Sequence, residues 1–299
     1  MKDSHFGMKH HQANATAQIT TKPSHPHRRL CIILAIFLFN SHSAKCLSAT
    51  PNKPSNWSAI NEVLPPDYYR QVYNNNNDND TTSEAQQSII PWDVGGPQPC
   101  IKKEAKTGIF ANKSILDCGC GLGENAQFLA GNVGRARSVT GFDISSDAIR
   151  RASERMEMMG NDGEGSLSLS QSSNNVSYRV ASCTELNESF TTRETFDVAV
   201  DSACLHCLSD EDAIAYANSL KDLVTERLFV GCFSTANDGA GWSNPRRLSR
   251  KDLERYFVSE YWEILRIEDV WWARPSARGS NQGGFCHGLW MEAVRKKSN

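Results

Sequence analysis

The chain has 299 residues, of which 39% are hydrophobic and 22% charged, a balance typical of a globular protein with one large domain or two small ones. Its formal net charge is −2 at pH 7. Such a charge provides no overall positive field for nucleic acid, so we expect no nucleic-acid partner.

The first third of the chain has the composition of a targeting region. Residues 30–39 read LCIILAIFLF, Arg28 and Arg29 precede them, and small residues follow. This order is typical of a secretory signal, and ten apolar residues are too few to cross about 30 Å of hydrocarbon as a helix. We predict a targeting region at 1–48, with a plastid or the lumen of the endoplasmic reticulum as candidate destinations. A short buried helix and an uncleaved signal anchor are the alternatives, and we expect no membrane contact for the mature domain.

A polar tract separates this region from the rest. Residues 74–80 read NNNNDND and contain nothing to bury in a core. We therefore predict a low-complexity linker at 49–84 and a single folded domain at 85–299. A second polar stretch at 160–175 is interpreted as an insertion between a helix and a strand.

From residue 110 onward, apolar strand-like runs alternate with helical patterns. This alternation predicts a Rossmann-like α/β fold, with a seven-stranded, mostly parallel sheet and helices on both faces. The last two runs have no helix between them and predict an antiparallel hairpin at the sheet edge. The predicted strands are 114–118, 138–143, 176–181, 196–201, 227–233, 261–272 and 284–294, and the predicted helices are 124–131, 145–159 and 209–225.

Residues 116–125, LDCGCGLGEN, carry two cysteines among three glycines. A zinc site could in principle combine this pair with Cys204 and Cys207, and a redox pair could use Cys204 and Cys207 alone. Either site would leave Asp117 and the glycines without a role. We therefore predict no metal, and we expect the ten cysteines to be reduced, because disulfide frameworks belong to small loop-rich domains.

A nucleotide-binding loop explains more of the motif. Glycines at alternate positions after a strand let a ligand approach the main chain. The dinucleotide fingerprint requires a third glycine where Glu124 stands, and an acidic residue in the first helical turn opposes a phosphate. The pattern Asp-x-Gly-x-Gly-x-Gly instead resembles the first motif of class I S-adenosylmethionine-dependent methyltransferases, whose cofactor carries a cationic amino group and a sulfonium.

Asp143 ends the second predicted strand in VTGFDISSDAI, 24 residues after Gly119. An acidic residue near this spacing accepts hydrogen bonds from ribose hydroxyls. The alternative role for Asp143 is an N-cap of the helix that follows.

Two further motifs narrow the resemblance. PWDVGGPQP (91–99) and FDVAVDSACLHCLSDED (196–212) are similar to the branch with thiopurine S-methyltransferases and halide and thiol methyltransferases, over about residues 85–299. The resemblance implies an N-terminal segment folded over the cofactor, with Trp92 against it or merely anchoring a loop. Relatives tend to carry an acid near the adenine, where this chain has Ser182 and Cys183. The implied cofactor contacts are Trp92, Asp117, Cys118, Gly119, Gly121, Asn125, Asp143, Ile144, Ser182, Cys183 and Asp201.

His206 lies in the loop after the fourth predicted strand. Phenol, hydroxyl or amine acceptors need to lose a proton, for which a histidine is suited, whereas halides and thiolates need no base. His206 is therefore either a general base or a residue that fixes the loop. We predict a monomeric enzyme that transfers a methyl group from S-adenosyl-L-methionine to a small thiol, halide, phenol or N-heterocycle. The alternatives are a protein side-chain methyltransferase and a non-catalytic cofactor-binding module.

Overall fold

The computed structural model describes residues 63–74, 90–161, 175–237, 245–257, 260–275 and 284–297. The predicted targeting region and most of the two polar stretches lie outside these residues. Among the helices that the structure describes, none is long and apolar enough to cross a membrane. The eight cysteines of the described part are free.

Seven strands form one sheet, which confirms the predicted fold. The order across the sheet is β3-β2-β1-β4-β5-β7-β6. The first five strands pair in parallel, and β7 pairs antiparallel with both β5 and β6. The strands are β1 Ser114–Cys118, β2 Ser138–Asp143, β3 Val176–Val180, β4 Phe196–Ser202, β5 Val224–Phe233, β6 Trp262–Arg274 and β7 Gly284–Arg295.

Helices connect the parallel strands, as the alternation predicts. The second-longest helix described begins at a well-formed cap, where the Ser209 side chain accepts a hydrogen bond from the Asp212 N–H (3.0 Å) and acidic residues fill the first turn. The helices are α1 Pro66–Asn74, α2 Pro99–Lys106, α3 Glu124–Ala130, α4 Ser146–Asn161, α5 Leu186–Ser189, α6 Asp210–Leu223 and α7 Arg250–Phe257. The sequence patterns do not predict α1, α2, α5 or α7.

Hydrophobic cores lie on both faces of the sheet. One contains Tyr216 of α6 and Phe257 of α7, and the other contains Ile101 of α2 and Leu129 of α3. Alternate residues of the central strands supply both cores, because successive side chains of a strand point to opposite faces. Burial on both faces explains why these strands lack a polar-apolar alternation.

The sheet order brings three carboxylates together. Strand β1 lies between β2 and β4. The strand order therefore runs from β1 to β2 and β3 on one side, and to β4 and β5 on the other. Ligands of such sheets bind at this change of direction, beyond the carboxyl ends of the strands. Asp117 is the penultimate residue of β1, and Asp143 ends β2. Asp201 is next to last in β4 and pairs with Cys118 of β1.

Helix α1 lies within the stretch that the sequence predicts as a linker, so this part of the prediction is corrected. Residues 66–74 were predicted as part of that linker, but they form a helix whose buried residues are Val72 and Tyr73. These pack with Leu122 of the glycine loop and Ala148 of α4. The helix begins at two prolines followed by Asp67, which are ordinary start signals. The adjoining asparagine tract concealed this pattern.

Candidate active site

The glycine loop has a backbone that only glycine adopts readily. Gly119 and Gly121 have φ angles of +65° and +53°. A Cβ added to Gly119 would lie 2.9 Å from the Cβ of Cys204, and one added to Gly121 would lie 2.8 Å from the hydroxyl of Tyr73. The loop is therefore enclosed on one side by the segment after β4 and on the other by α1.

Asp117 is fully buried at the end of β1. Among the described residues, neither of its carboxylate oxygens makes a hydrogen bond of normal geometry, although the Ala126 N–H lies close enough to lower the pKa of this carboxyl somewhat. Burial, and secondarily the negative charge of Glu124, raises the pKa of Asp117 to about 8. A buried carboxylate without partners is costly to ionise, so the site is complete only when a cationic group lies beside it.

Asp143 ties two loops together. Its Oδ2 accepts a hydrogen bond from the Gly121 N–H (3.0 Å), and its Oδ1 accepts one from the Ser145 N–H (2.9 Å). The cap of α4 is the Ser145 hydroxyl, which accepts from the Ala148 N–H (3.2 Å), so Asp143 is not the N-cap. A carboxylate offers about four acceptor sites, so Asp143 retains capacity for ribose hydroxyls, and the ribose contact stays a prediction.

Asp201 fixes the loop after β4. Its carboxylate accepts hydrogen bonds from the N–H groups of Cys204 (2.8 Å) and Leu205 (3.1 Å), and from the hydroxyl of Tyr216 (3.0 Å). Burial raises its pKa to about 7, while these three donors lower it. The structure thus gives Asp201 the task of holding this loop, and its contact with the cofactor stays a prediction.

His206 is buried in that loop, with 2% of its surface exposed. Its Nδ1 accepts a hydrogen bond from the backbone N–H of Phe233 (3.0 Å), which places the proton of the neutral ring on Nε2. Burial, and secondarily the charge of Arg246, lowers its pKa to about 3. The ring is neutral at pH 7 and is a weaker base than an exposed histidine. These observations favour the alternative role, in which His206 joins the loop to β5, and the catalytic role stays a prediction.

An aromatic cover lies over the glycine loop. The indole N–H of Trp92 donates to the hydroxyl of Tyr73 (2.8 Å), which stands over Gly121. The ring of Trp92 lies 5.8 Å from both Tyr69 and Tyr73 of α1. Trp92 thus anchors the segment that closes the site, and its packing against the cofactor stays a prediction.

Three further predicted contacts lie near the glycine loop, and one of them faces away from it. Cys118 faces away from the glycines, because it follows Asp117 on the strand and points into the core with Phe142. Its side chain is therefore no cofactor ligand. Asn125 is half-buried in the first turn of α3, next to the loop. The Ile144 carbonyl accepts a long hydrogen bond from Arg70 of α1 (3.4 Å).

The segment after β3 brings a thiol to the site. Ser182 caps a short helical turn by accepting from the Thr184 N–H (3.3 Å). Cys183 interacts with Cys204, the residue that packs on Gly119, and this contact raises the pKa of the Cys204 thiol. Within the described part of the chain, no three His, Cys, Asp or Glu side chains form a group that could hold a metal ion.

Comparison with known proteins agrees with this geometry. Residues 115–226 match the family described as "Methyltransferase domain", and this stretch runs from β1 into β5 through both loops. This stretch of the chain is a methyltransferase domain of the class I S-adenosylmethionine-dependent type. S-adenosylmethionine is its cofactor, and the unpartnered carboxylate of Asp117 fits the cationic amino group of that molecule.

Individual relatives of this methyltransferase are distant. It is 29% identical over 192 residues to the 2-heptyl-1-hydroxyquinolin-4(1H)-one methyltransferase of Mycobacteroides abscessus, covering 63% of this chain and 74% of that protein. It is 33% identical over 76 residues to the probable thiol methyltransferase 2 of Arabidopsis thaliana, covering 25% of this chain and 32% of that one. A solved S-adenosylmethionine-dependent methyltransferase from Anabaena variabilis superposes with a TM-score of 0.56 at 16% identity, over 80% of this chain and 99% of its own.

Sequence reasoning missed Tyr69 and Tyr73. Both lie on α1, within the predicted linker, and both reach the site. A signal was present: Tyr69, Val72 and Tyr73 stand at i, i+3 and i+4, the spacing of one helical face.

We expect cofactor binding to release a proton from Asp117. At pH 7 a carboxyl with a pKa of about 8 is mostly protonated, and the ligand's ammonium favours its ionised form. S-adenosylhomocysteine should therefore release close to one proton per site at pH 7, and less as the pH rises through 8. Calorimetric titrations in buffers of different ionisation enthalpy measure this number.

Two variants and the pH dependence of stability make this prediction specific. Asp117→Asn should abolish the proton release and weaken binding by about tenfold or more, whereas Asp222→Asn, on the exposed face of α6, should change neither.

The unfolded chain loses this proton near pH 4 and the folded protein near pH 8, so Asp117 lowers the free energy of unfolding increasingly across that range. Equal proton release by wild type and Asp117→Asn would contradict the assignment.

A second prediction separates the two roles of His206. His206→Leu leaves the Phe233 N–H without an acceptor and should lower the free energy of unfolding by about 1–3 kcal/mol. His206→Asn keeps an acceptor near the position of Nδ1 and should retain most of the stability. Denaturant unfolding measures both variants, and turnover on all acceptors should fall together in the Leu variant. A loss of about 10²–10⁴ confined to acceptors that must lose a proton, in both variants alike, would instead restore the general base.

Proposed function

We propose that this methyltransferase acts on a small molecule that binds between α1 and the loop after β4. The observation that carries this proposal is the aromatic cover. Tyr73 and Trp92 close the glycine loop from above, and Arg70 joins α1 to the loop after β2. A protein substrate would have to displace α1 to reach a cofactor held here, whereas a small acceptor would not.

The names of the relatives support the same conclusion. One is named for a hydroxyquinolone and another for thiols, both of them small acceptors. Because the alignment covers only 32% of the thiol methyltransferase, that likeness does not carry its acceptor to this chain. The fold itself hosts many chemistries, so the acceptor must be argued from the site.

The residues of the chain have separable tasks in the proposed reaction. When bound, S-adenosylmethionine supplies an electrophilic methyl group on its sulfonium. Asp117 would hold the amino group of the cofactor and Asp143 its ribose, while the glycine loop lets the main chain approach. Trp92 and Tyr73 keep water away. Most of the acceleration would come from holding the acceptor in line with the methyl group.

Incubation with methyl-labelled S-adenosylmethionine tests the proposal. The acceptors are thiols, halides, phenols and N-hydroxy heterocycles, each supplied without any protein acceptor. Label should pass to at least one of these classes, and Gly121→Val should abolish transfer, because its side chain would collide with Tyr73 at a φ of +53°. Label found only on added proteins would favour the protein methyltransferase. Tight binding of S-adenosylhomocysteine with no transfer to any acceptor would favour the binding module.

We also propose that residues 1–48 direct the chain to the secretory route and are removed, and that the mature enzyme is a monomer. The apolar run at 30–39 between a basic flank and small residues supports the first part. Mass spectrometry of the N-terminus of the native protein and its mass in solution test the two parts. A native chain that still carries residues 1–29 would contradict removal.

A further inference from the structure

The hydroxyl of Tyr69 is a buried donor without a strong acceptor in the described structure. Its oxygen is shielded from solvent and makes no hydrogen bond of normal geometry among the described residues. The Cys207 thiol lies beside it and is a weak acceptor that helps to raise the pKa of Tyr69, and that thiol itself donates to the Ala203 carbonyl (3.4 Å). Buried polar groups of native proteins nearly always have partners, so an unpartnered one calls for an explanation.

The position of Tyr69 supplies that explanation. It stands one helical turn before Tyr73, so both residues lie on the same face of α1. Tyr73 stands over Gly121, and Cys204 packs on Gly119. Tyr69 lies next to Cys204 and Cys207, and its ring contacts Trp92 at 5.8 Å. Its hydroxyl is therefore placed between the cover and the loop after β4, where the proposed acceptor would bind.

The charges around this place are mostly negative. Asp117, Asp143 and Asp201 end the three nearest strands, and an anionic acceptor would be repelled by any of them that is ionised. Beyond the cationic groups of the cofactor, a neutral donor would favour an anion that enters here. The hydroxyl of Tyr69, which has only the weakly accepting Cys207 thiol beside it, is such a donor.

We propose that the Tyr69 hydroxyl donates a hydrogen bond to the nucleophilic atom of the acceptor, and that the acceptor reacts as an anion. This inference rests on the proposed small-molecule function. On binding, the protonated acceptor loses its proton to solvent and becomes the anion. It then forms its bond to the methyl carbon while the carbon–sulfur bond breaks and its electron pair stays on sulfur. The anion and the sulfonium thus become two neutral groups, and Tyr69 keeps its proton throughout.

The surroundings of Tyr69 keep it in the donor form. Burial, and secondarily the neighbouring Cys207, raises its pKa far above the ordinary value for tyrosine. The other titratable groups that face it are Tyr68, Cys204 and Cys207, and the pKa of each is also raised. All four groups are therefore neutral between pH 5 and 9, so ionisation seen in that range belongs to the acceptor or to the carboxylates.

Kinetics of Tyr69→Phe test the inference. The hydrogen bond is strongest to the charged nucleophile and is lost in the neutral product, so it favours binding of the anion rather than its attack. With 4-nitrothiophenol as acceptor, KM should rise about tenfold or more, and kcat should stay the same or increase. With pyridine, which reacts as a neutral nucleophile, KM should not change. Tyr68→Phe, on the neighbouring ring 5.5 Å away, is the matched control and should leave both acceptors unaffected.

A spectroscopic titration gives a second readout. The thiolate of 4-nitrothiophenol is coloured and the thiol is not, so its pKa can be followed in the complex with S-adenosylhomocysteine. The bound probe should ionise at lower pH in wild type than in Tyr69→Phe, and affinity for S-adenosylhomocysteine should match in the two proteins, which confirms folding. Equal KM values and equal probe pKa values would overturn the inference, as would transfer by wild type to neutral nucleophiles only. Absence of transfer to any small molecule would instead overturn the proposed function itself.

Discussion

The site depends on the burial of three carboxylates at the ends of adjacent parallel strands. Two of them are satisfied within the protein: Asp143 accepts from two backbone N–H groups, and Asp201 accepts from two N–H groups and one phenol. Asp117 has no such partner. The strand order makes this arrangement unavoidable, because β1 is flanked by β2 and β4 and all three strands end at the same edge. A cationic group of the cofactor beside Asp117 would supply the partner that the fold does not provide for this carboxylate.

The satisfied carboxylates shape the walls of the site. Asp143 fixes Gly121 relative to the start of α4, and Asp201 fixes the loop that carries Cys204 against Gly119. His206 then joins that loop to β5 through the Phe233 N–H. Most of these contacts are made to backbone groups, so they hold loop positions rather than the chemistry of particular side chains. The remaining wall is α1, which carries the aromatic rings of Tyr69 and Tyr73 and the buried hydroxyl of Tyr69.

The sequence predicts those elements and loops of the molecule that have a local pattern of residues. The alternation of apolar runs and helical segments located six of the seven strands to within one or two residues at each end, and β5 to within three, and the glycines after β1 located the cofactor loop. The differences between the expectations and the structure have physical causes that lie outside local patterns. Whether Cys118 faces the loop depends on strand pleat, the basicity of His206 depends on burial by distant residues, and α1 was concealed by the asparagine tract beside it.

The central claim is that Asp117 is protonated in the free enzyme and ionised beside the cofactor. Infrared difference spectroscopy at pH 7 measures this directly, because a protonated carboxyl has a carbonyl stretch that the carboxylate lacks. Addition of S-adenosylhomocysteine to the wild-type protein should remove one such band, and the loss should be absent in Asp117→Asn. A spectrum with no loss of a protonated carboxyl band, or the same loss in the Asn variant, would contradict the account.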